Sequence, residues 1–243
     1  KVGVVTDGQS ERMADLLSRT RDEIKKLISD NDQIVFLPEH QKTANFANKA
    51  TVAAIEELFQ NRDVNAILCL GPVASHLLAK REKYSKPAFA VHIINSKMQG
   101  LPLHDGSSGV DNFSYTDMGI EIGRHISRFQ EISAFKTLHL VISSFMLEGI
   151  PQLAENLASI AAAAEIKLVI VKTERDSFEK SLQQLNDAET VYLTPLIDIA
   201  PEQREQLIEH INRKRIPSMN MLGQQPVEKG VFVSIATELD TQK

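Results

Sequence analysis

The chain has 243 residues, of which 42% are hydrophobic and 24% charged. This composition excludes disorder, collagen and a small disulfide scaffold, and suits one large α/β domain or two lobes of about 120 residues. Lys and Arg total 27 against 32 for Asp and Glu, a formal charge of -5 with no Lys/Arg-rich tract, so nucleic acid is not an expected partner; nor does any apolar run reach the roughly 20 residues of a membrane span.

Strand-length apolar segments alternate with helical patterns along almost the whole chain, the rhythm of parallel sheet. The first strand is predicted over 2–6 and the first helix over 11–28, with Met13, Leu16, Leu17, Ile24, Leu27 and Ile28 forming its apolar stripe behind Ser10. A strand over 33–37, a helix over 43–59 and a strand over 66–70 follow. That third strand contains the only cysteine, Cys69, which reads as a buried, inert thiol and rules out an intramolecular disulfide. Gly71-Pro72 then leads into a helix over 74–80 and a strand over 88–94. The rhythm breaks after residue 94 in a stretch rich in Gly, Ser, Asn and Pro that carries one short strand over 108–113. It resumes with a helix at 117–129, a strand at 137–145, a helix at 149–164, a strand at 167–172, a helix at 176–185, a strand at 190–193, a helix at 202–213 opened by Pro201, and strands at 218–222 and 231–235. The segment 223–230 reads as a turn. The chain halves near residue 115, giving an N-terminal lobe of 1–115 and a C-terminal lobe of 116–243, with a cleft between them as the expected ligand site.

Catalytic and cofactor signatures are missing. One glycine follows the first strand in Thr6-Asp-Gly-Gln-Ser-Glu-Arg12, so a dinucleotide fingerprint is not present, and no Gly-Lys-Ser/Thr marks a phosphate loop. The seven histidines, His40, His76, His92, His104, His125, His139 and His210, form no zincin helix. His92 and His139 fall in strand runs and read as core or cleft polar groups. No Gly-x-Ser-x-Gly elbow is present, and no acid, base and nucleophile converge, so neither an enzyme nor a cofactor or metal is expected.

Small polar residues do recur at strand ends: Asp7 and Gly8 after the first strand, Ser75 after the third, Asn95 after the fourth and Asn112 closing the crossover strand, then Ser143, Ser144, Thr194 and Asn220 in the second lobe. Backed by helix N-termini on one rim, such groups bind carboxylates and neutral polar groups. Each also has a plain reading as a cap or turn residue. Asp7 is suited either to accept an ammonium or hydroxyl from a ligand or to cap the helix starting near Ser10. With no Trp and three Tyr, stacking surfaces for sugars are scarce.

Several phrases carry a resemblance: Lys1-Val-Gly-Val-Val-Thr-Asp-Gly8, Asn65-Ala-Ile-Leu-Cys-Leu-Gly-Pro-Val-Ala-Ser75, Gly109-Val-Asp-Asn-Phe113, Val191-Tyr-Leu-Thr-Pro-Leu196 and Arg215-Ile-Pro-Ser-Met-Asn-Met-Leu-Gly223. Over nearly its full length the chain resembles the ABC-transporter substrate-binding family with the type 1 periplasmic-binding-protein fold. The phrases Gly71-Pro-Val-Ala-Ser-His76, Tyr192-Leu-Thr-Pro-Leu196 and Met221-Leu-Gly223 are similar to a subgroup placed ahead of an outer-membrane efflux (TolC-like) channel. The resemblance implies a two-lobed, exported, periplasmic domain that closes on a small polar or amphipathic molecule and serves a membrane transport or efflux component. It implies alternatively an interaction module with a vestigial cleft. It also implies a final helix that returns to the first lobe past Ser234-Ile-Ala236, and with the sequence stopping at Lys243 the chain is expected to be a piece of a longer polypeptide. The start at Lys1, within a strand and without Met, is compatible with a removed leader.

Overall fold

The structure is a computed structural model that describes residues 1–27 and 33–235. Ile28, the predicted last residue of the first helix, lies outside the described residues. By contacts the chain divides into one unit of Lys1–Gly119 with Glu148–Ile150, and a second of Ile120–Leu147 with the chain from Pro151 onward.

In the first unit, strands β1 (Val2–Thr6), β2 (Gln41–Thr43), β3 (Ala66–Leu70), β4 (Ala88–Ile93) and β5 (Phe113–Asp117) form one parallel sheet in the order β2-β1-β3-β4-β5. Consecutive strand residues face opposite sides, so the apolar run of β3 feeds two cores. Ile67 and Cys69 join Val5, Ala90 and Phe113 beneath α2 (Asn48–Gln60) and α3 (Pro72–Ala79), which contribute Ile55, Leu58 and Leu78. Leu68 and Leu70 join Val4 on the other side, against Met13, Leu16 and Leu17 of α1 (Glu11–Leu27). Cys69 is fully buried and its thiol pKa is pushed well up by burial, as the apolar context of its strand requires.

The second unit repeats the plan. Helix α4 (Ile122–Ile132) leads into β6 (Thr137–Ser143), α5 (Ser144–Gly149), α6 (Gln152–Ala163), β7 (Lys167–Thr173), α7 (Phe178–Gln184), β8 (Thr190–Leu193), α8 (Pro201–Arg213), β9 (Ser218–Asn220), α9 (Gln224–Glu228) and β10 (Val233–Ser234). The parallel sheet runs β10-β9-β8-β6-β7. Val141, Val171, Val191 and Leu193 share the face packed on Phe178 and Leu185 and on Leu207 and Ile211 of α8. On the opposite face of β8, Tyr192 is fully buried with its hydroxyl 2.8 Å from His125 Nδ1 of α4.

Several predicted boundaries move, each for a local reason. Residues 33–37 are not a strand: the segment touches β1 through one bond, Val2 N–H to the Val35 carbonyl at 2.8 Å, and ends in a 3-10 turn at Pro38–His40, after which β2 takes the ladder with Gln41 opposite Val4. The crossover strand begins at Phe113, where 108–113 was expected, because Gly109 (φ 66°) and Asn112 (φ 59°) are left-handed and cannot continue a strand. Helix α2 starts at Asn48, after left-handed Asn45 and Phe46, and α4 starts beyond Gly119. Strand β6 stops at Ser143 because Ser144 already opens α5, and 223–230 contains the short helix α9.

Candidate functional site

In each sheet the chain runs from the first strand to one side and then crosses to the other, so β1/β3 and β6/β8 are topological switch points. The crevice outside the carboxyl ends of such a pair is where open α/β sheets take ligands.

At the first switch point the polar groups are engaged with one another. Asp7 is fully buried, and its carboxylate accepts the main-chain N–H groups of Val73 (3.2 Å) and Ala74 (2.6 Å). It therefore caps α3 across the switch point, not the helix after Ser10; the Ser10 hydroxyl accepts the Met13 N–H at 3.2 Å and caps α1 itself. Burial raises the Asp7 pKa from 3.8 to about 7, opposed by those two N–H bonds. Gly71, at φ 107°, makes the approach possible, since a Cβ there would collide with the Asp7 carboxyl. Gly8 is likewise covered, by the ring of Phe46.

Ser75 is also fully buried; its hydroxyl donates to the Cys69 carbonyl (3.2 Å) and accepts the His92 N–H (3.0 Å), while His92 Nδ1 accepts the Gly71 N–H (3.0 Å). Asn95 uses its side-chain oxygen to turn the chain, accepting the Met98 N–H at 2.9 Å. Behind it stands Gln99, fully buried. Its oxygen accepts the N–H groups of Ile94 (2.7 Å) and Asn95 (3.2 Å), and its amide donates to His76 Nδ1 at 2.9 Å. Burial, with Lys80 nearby, lowers the His76 pKa to about 4, so the imidazole is neutral and accepts. Asn112 does not join this rim. It precedes β5 and is exposed at the amino end of the sheet, donating to the Tyr84 carbonyl (3.2 Å). A groove of about 660 Å³ lies at that amino end, lined in part by Ile67, Phe89, Ser108 and Asn112.

The second rim differs. Ser143 ends β6 and Thr173 ends β7 directly opposite in register, so both side chains stand on the α7/α8 face. Both are fully buried, and neither hydroxyl has a hydrogen-bond partner. The Ser143 hydroxyl lies against the carboxyl of half-buried Asp198, in the loop from β8 to α8. It lowers that group's pKa there, although burial raises the pKa more. The two fall outside hydrogen-bond geometry, and Asp198 Oδ1 is also unpartnered. Asn220, 1% exposed at the end of β9, accepts the Leu222 N–H (2.6 Å) through its oxygen, while its Nδ2 has no partner. Two of the expected residues are engaged internally. Thr194 donates to the Val141 carbonyl (2.9 Å), and Ser144 donates to Glu174 Oε1 (2.9 Å), whose other oxygen accepts from Ser177 (3.1 Å).

Thr173 and Asp198 were not singled out from the sequence. Thr173 fits the same rule as Ser143, a small hydroxyl at the carboxyl end of a strand, once the strand is carried one residue past Lys172. Asp198 has no local signal, as the fifth residue of an irregular loop after β8. Among the described residues no group of three His, Cys, Asp or Glu side chains is placed to hold a metal, and no helix is long and apolar enough to cross a membrane.

No protein-family profile and no curated protein sequence matches this chain. Solved structures do. A conserved domain protein from Vibrio cholerae O1 biovar El Tor aligns with TM-score 0.74 at 17% identity, over 98% of this chain and 78% of that one. The ABC domain in complex with L-Trp from Streptococcus pneumonia aligns with TM-score 0.68 at 10% identity, over 92% and 74%. A solute-binding protein of an ABC transporter from Rhodopseudomonas palustris, in complex with 3,4-dihydroxybenzoic acid, aligns with TM-score 0.56 at 15% identity, over 90% and 61%. At these identities the likeness is one of fold. Two parallel five-stranded sheets with flanking helices make this an α/β chain of the periplasmic-binding-protein-like fold, shared with substrate-binding proteins of ABC transporters. Its structural neighbours are mainly binding proteins.

Proposed function

We propose that this chain is a solute-binding domain, with lobes 1–115 and 116–243 that close on a small polar or amphipathic molecule without altering it, in the periplasm and in the service of a membrane transport system. The observation that carries this reading is the second rim, where buried polar atoms at a topological switch point lack partners. Folded proteins rarely leave such groups unmatched, because each costs about 1–3 kcal/mol, and a ligand supplies the missing bonds. Calorimetry and thermal shift against a metabolite panel that includes L-tryptophan and 3,4-dihydroxybenzoate test it. A saturable response to at least one compound is expected, and silence across the panel would count against it.

A second reading is favoured by the first rim, where Asp7, Ser75 and Gln99 already bond to the protein itself. On this reading the domain is an interaction module ahead of an outer-membrane efflux channel, with a vestigial ligand site. The complete gene product decides: a downstream channel-forming segment selects the appendage, and its absence selects the carrier.

A further inference from the structure

The turn that follows β4 is held by two side chains at the end of α3. Between Asn95 and Leu101 the main chain closes on itself, the Gln99 N–H donating to the Asn95 carbonyl (2.9 Å) and the Leu101 N–H to the Ser96 carbonyl (2.9 Å). Three contacts tie this turn to the rest of the first unit. The Ser96 N–H donates to Asp117 at the end of β5 (2.9 Å), Lys80 Nζ donates to the Gly100 carbonyl (3.0 Å), and the Gln99 amide meets His76 Nδ1 (2.9 Å). His76 and Lys80 stand one helical turn apart, on one face of α3.

The contact between Gln99 and His76 has one workable arrangement. The Gln99 oxygen is committed to the N–H groups of Ile94 and Asn95, so its NH2 faces His76, and Nδ1 is the accepting nitrogen of an imidazole that carries its hydrogen on Nε2. A proton on Nδ1 turns that acceptor into a donor. Flipping the amide gives no relief, because its NH2 would then face two N–H groups. We infer that His76 is a proton-operated latch on this turn: neutral, it holds Gln99 and, through it, the main chain of Ile94 and Asn95 at the carboxyl end of β4; protonated, it lets the turn go. His76 is thus a positioning residue for the first rim, whether or not that rim takes a ligand.

The surroundings favour the neutral ring. Lys80 is the charge that acts on His76, and it opposes a second cation beside it. The titratable groups on the elements packed against α3 are engaged elsewhere or exposed. On α2, Glu56 and Glu57 pair with Arg81 and Lys42, and Lys49 is exposed. Cys69 of β3 is held un-ionised by burial, and His92 of β4 accepts the Gly71 N–H. On β5, Tyr115 donates to the Pro102 carbonyl, and Asp117 accepts from Ser96 and Gly119. Asp7 caps the opposite end of α3. Burial and Lys80 together hold the latched imidazole at a pKa of about 4, against 6.5 for the ring in water. The opened turn therefore takes up a proton that the closed turn refuses, so opening becomes easier as pH falls from 6.5 toward about 4 and is indifferent to pH above that window.

Amide hydrogen exchange on the full chain, read residue by residue in NMR as protection factors, tests the latch. From about pH 7.5 to about pH 4.5 the Ile94 and Asn95 amides should lose protection about 50–100-fold. In His76→Gln, whose side-chain oxygen accepts the same bond and does not titrate, the loss should vanish; in Asp117→Asn it should persist. The nitrogen shifts of His76 in the parent at neutral pH should show the hydrogen on Nε2, a reading that needs no substitution. The latch is overturned if protection does not change with pH, if His76→Gln loses it as the parent does, if Asp117→Asn abolishes the loss, or if the neutral ring carries its hydrogen on Nδ1.

Discussion

Replacing Asp7 with Asn isolates what it costs to bury a carboxylate at the first switch point. Folding takes this group wholly out of water and moves its pKa from 3.8 to about 7, with burial outweighing the two N–H bonds that pull it down. The unfolded chain releases the proton near 3.8 and the folded chain keeps it to about 7, so between those values the native state binds more protons and stability falls as pH rises. At about 1.36 kcal/mol per pH unit the full effect is about 4 kcal/mol, absent at pH values below both pKa values and complete above them. The N-terminal field of α3 acts in the opposite sense but contributes only about 0.3–2 kcal/mol, so burial wins. Asn keeps an acceptor for the Ala74 N–H and never ionises. Urea unfolding of both proteins from about pH 4 to about pH 8 at constant ionic strength reads the effect. Relative to the parent, Asp7→Asn should gain about 4 kcal/mol across that range. A difference that does not change with pH would refute the reasoning, because it would show that the carboxylate ionises as easily in the folded chain as in water.

Three further substitutions probe the framework. Gly71→Ala places a Cβ against the Asp7 carboxyl at a φ of 107°, and should cost about 3–5 kcal/mol in urea unfolding from backbone strain and the displaced cap together. Gln99→Leu strands the N–H groups of Ile94 and Asn95 and the ring nitrogen of His76, with an expected loss of about 2–4 kcal/mol by the same measurement. Tyr192→Phe leaves His125 Nδ1 without its hydroxyl partner, and should lower stability by about 1–2 kcal/mol, with a visible shift of the His125 ring signals in NMR.

The architecture was largely legible in the sequence because strands buried on both faces are short, apolar runs with little ambiguity: 2–6, 66–70 and 190–193 coincide with β1, β3 and β8. Errors fell where one backbone angle decides the outcome. Asn112 reads as a strand residue by its neighbours, yet at φ 59° it is the turn before β5, which carried a candidate site residue to the wrong end of the sheet. The site was legible only as a rim. Composition marks small polar residues at strand ends but cannot say which are already bonded within the protein. Ser75 and Ser143 look alike in sequence, yet one bridges β3 to β4 and the other has no partner. That distinction depends on contacts across the sheet, such as His92 against Ser75 or Thr173 against Ser143, which no local pattern encodes.

The strand order of the first sheet reappears in the second, strand for strand, as an ancestral doubling of one βα design would leave it. The two rims nonetheless differ in chemistry. One edge is sealed by its own cap and amide, so most changes there loosen the scaffold. On the other, Thr194 and Ser144 are bonded within the protein but the buried Thr173 hydroxyl is not, so that side chain can change without disturbing a made bond, which leaves this half room to vary while its twin stays fixed.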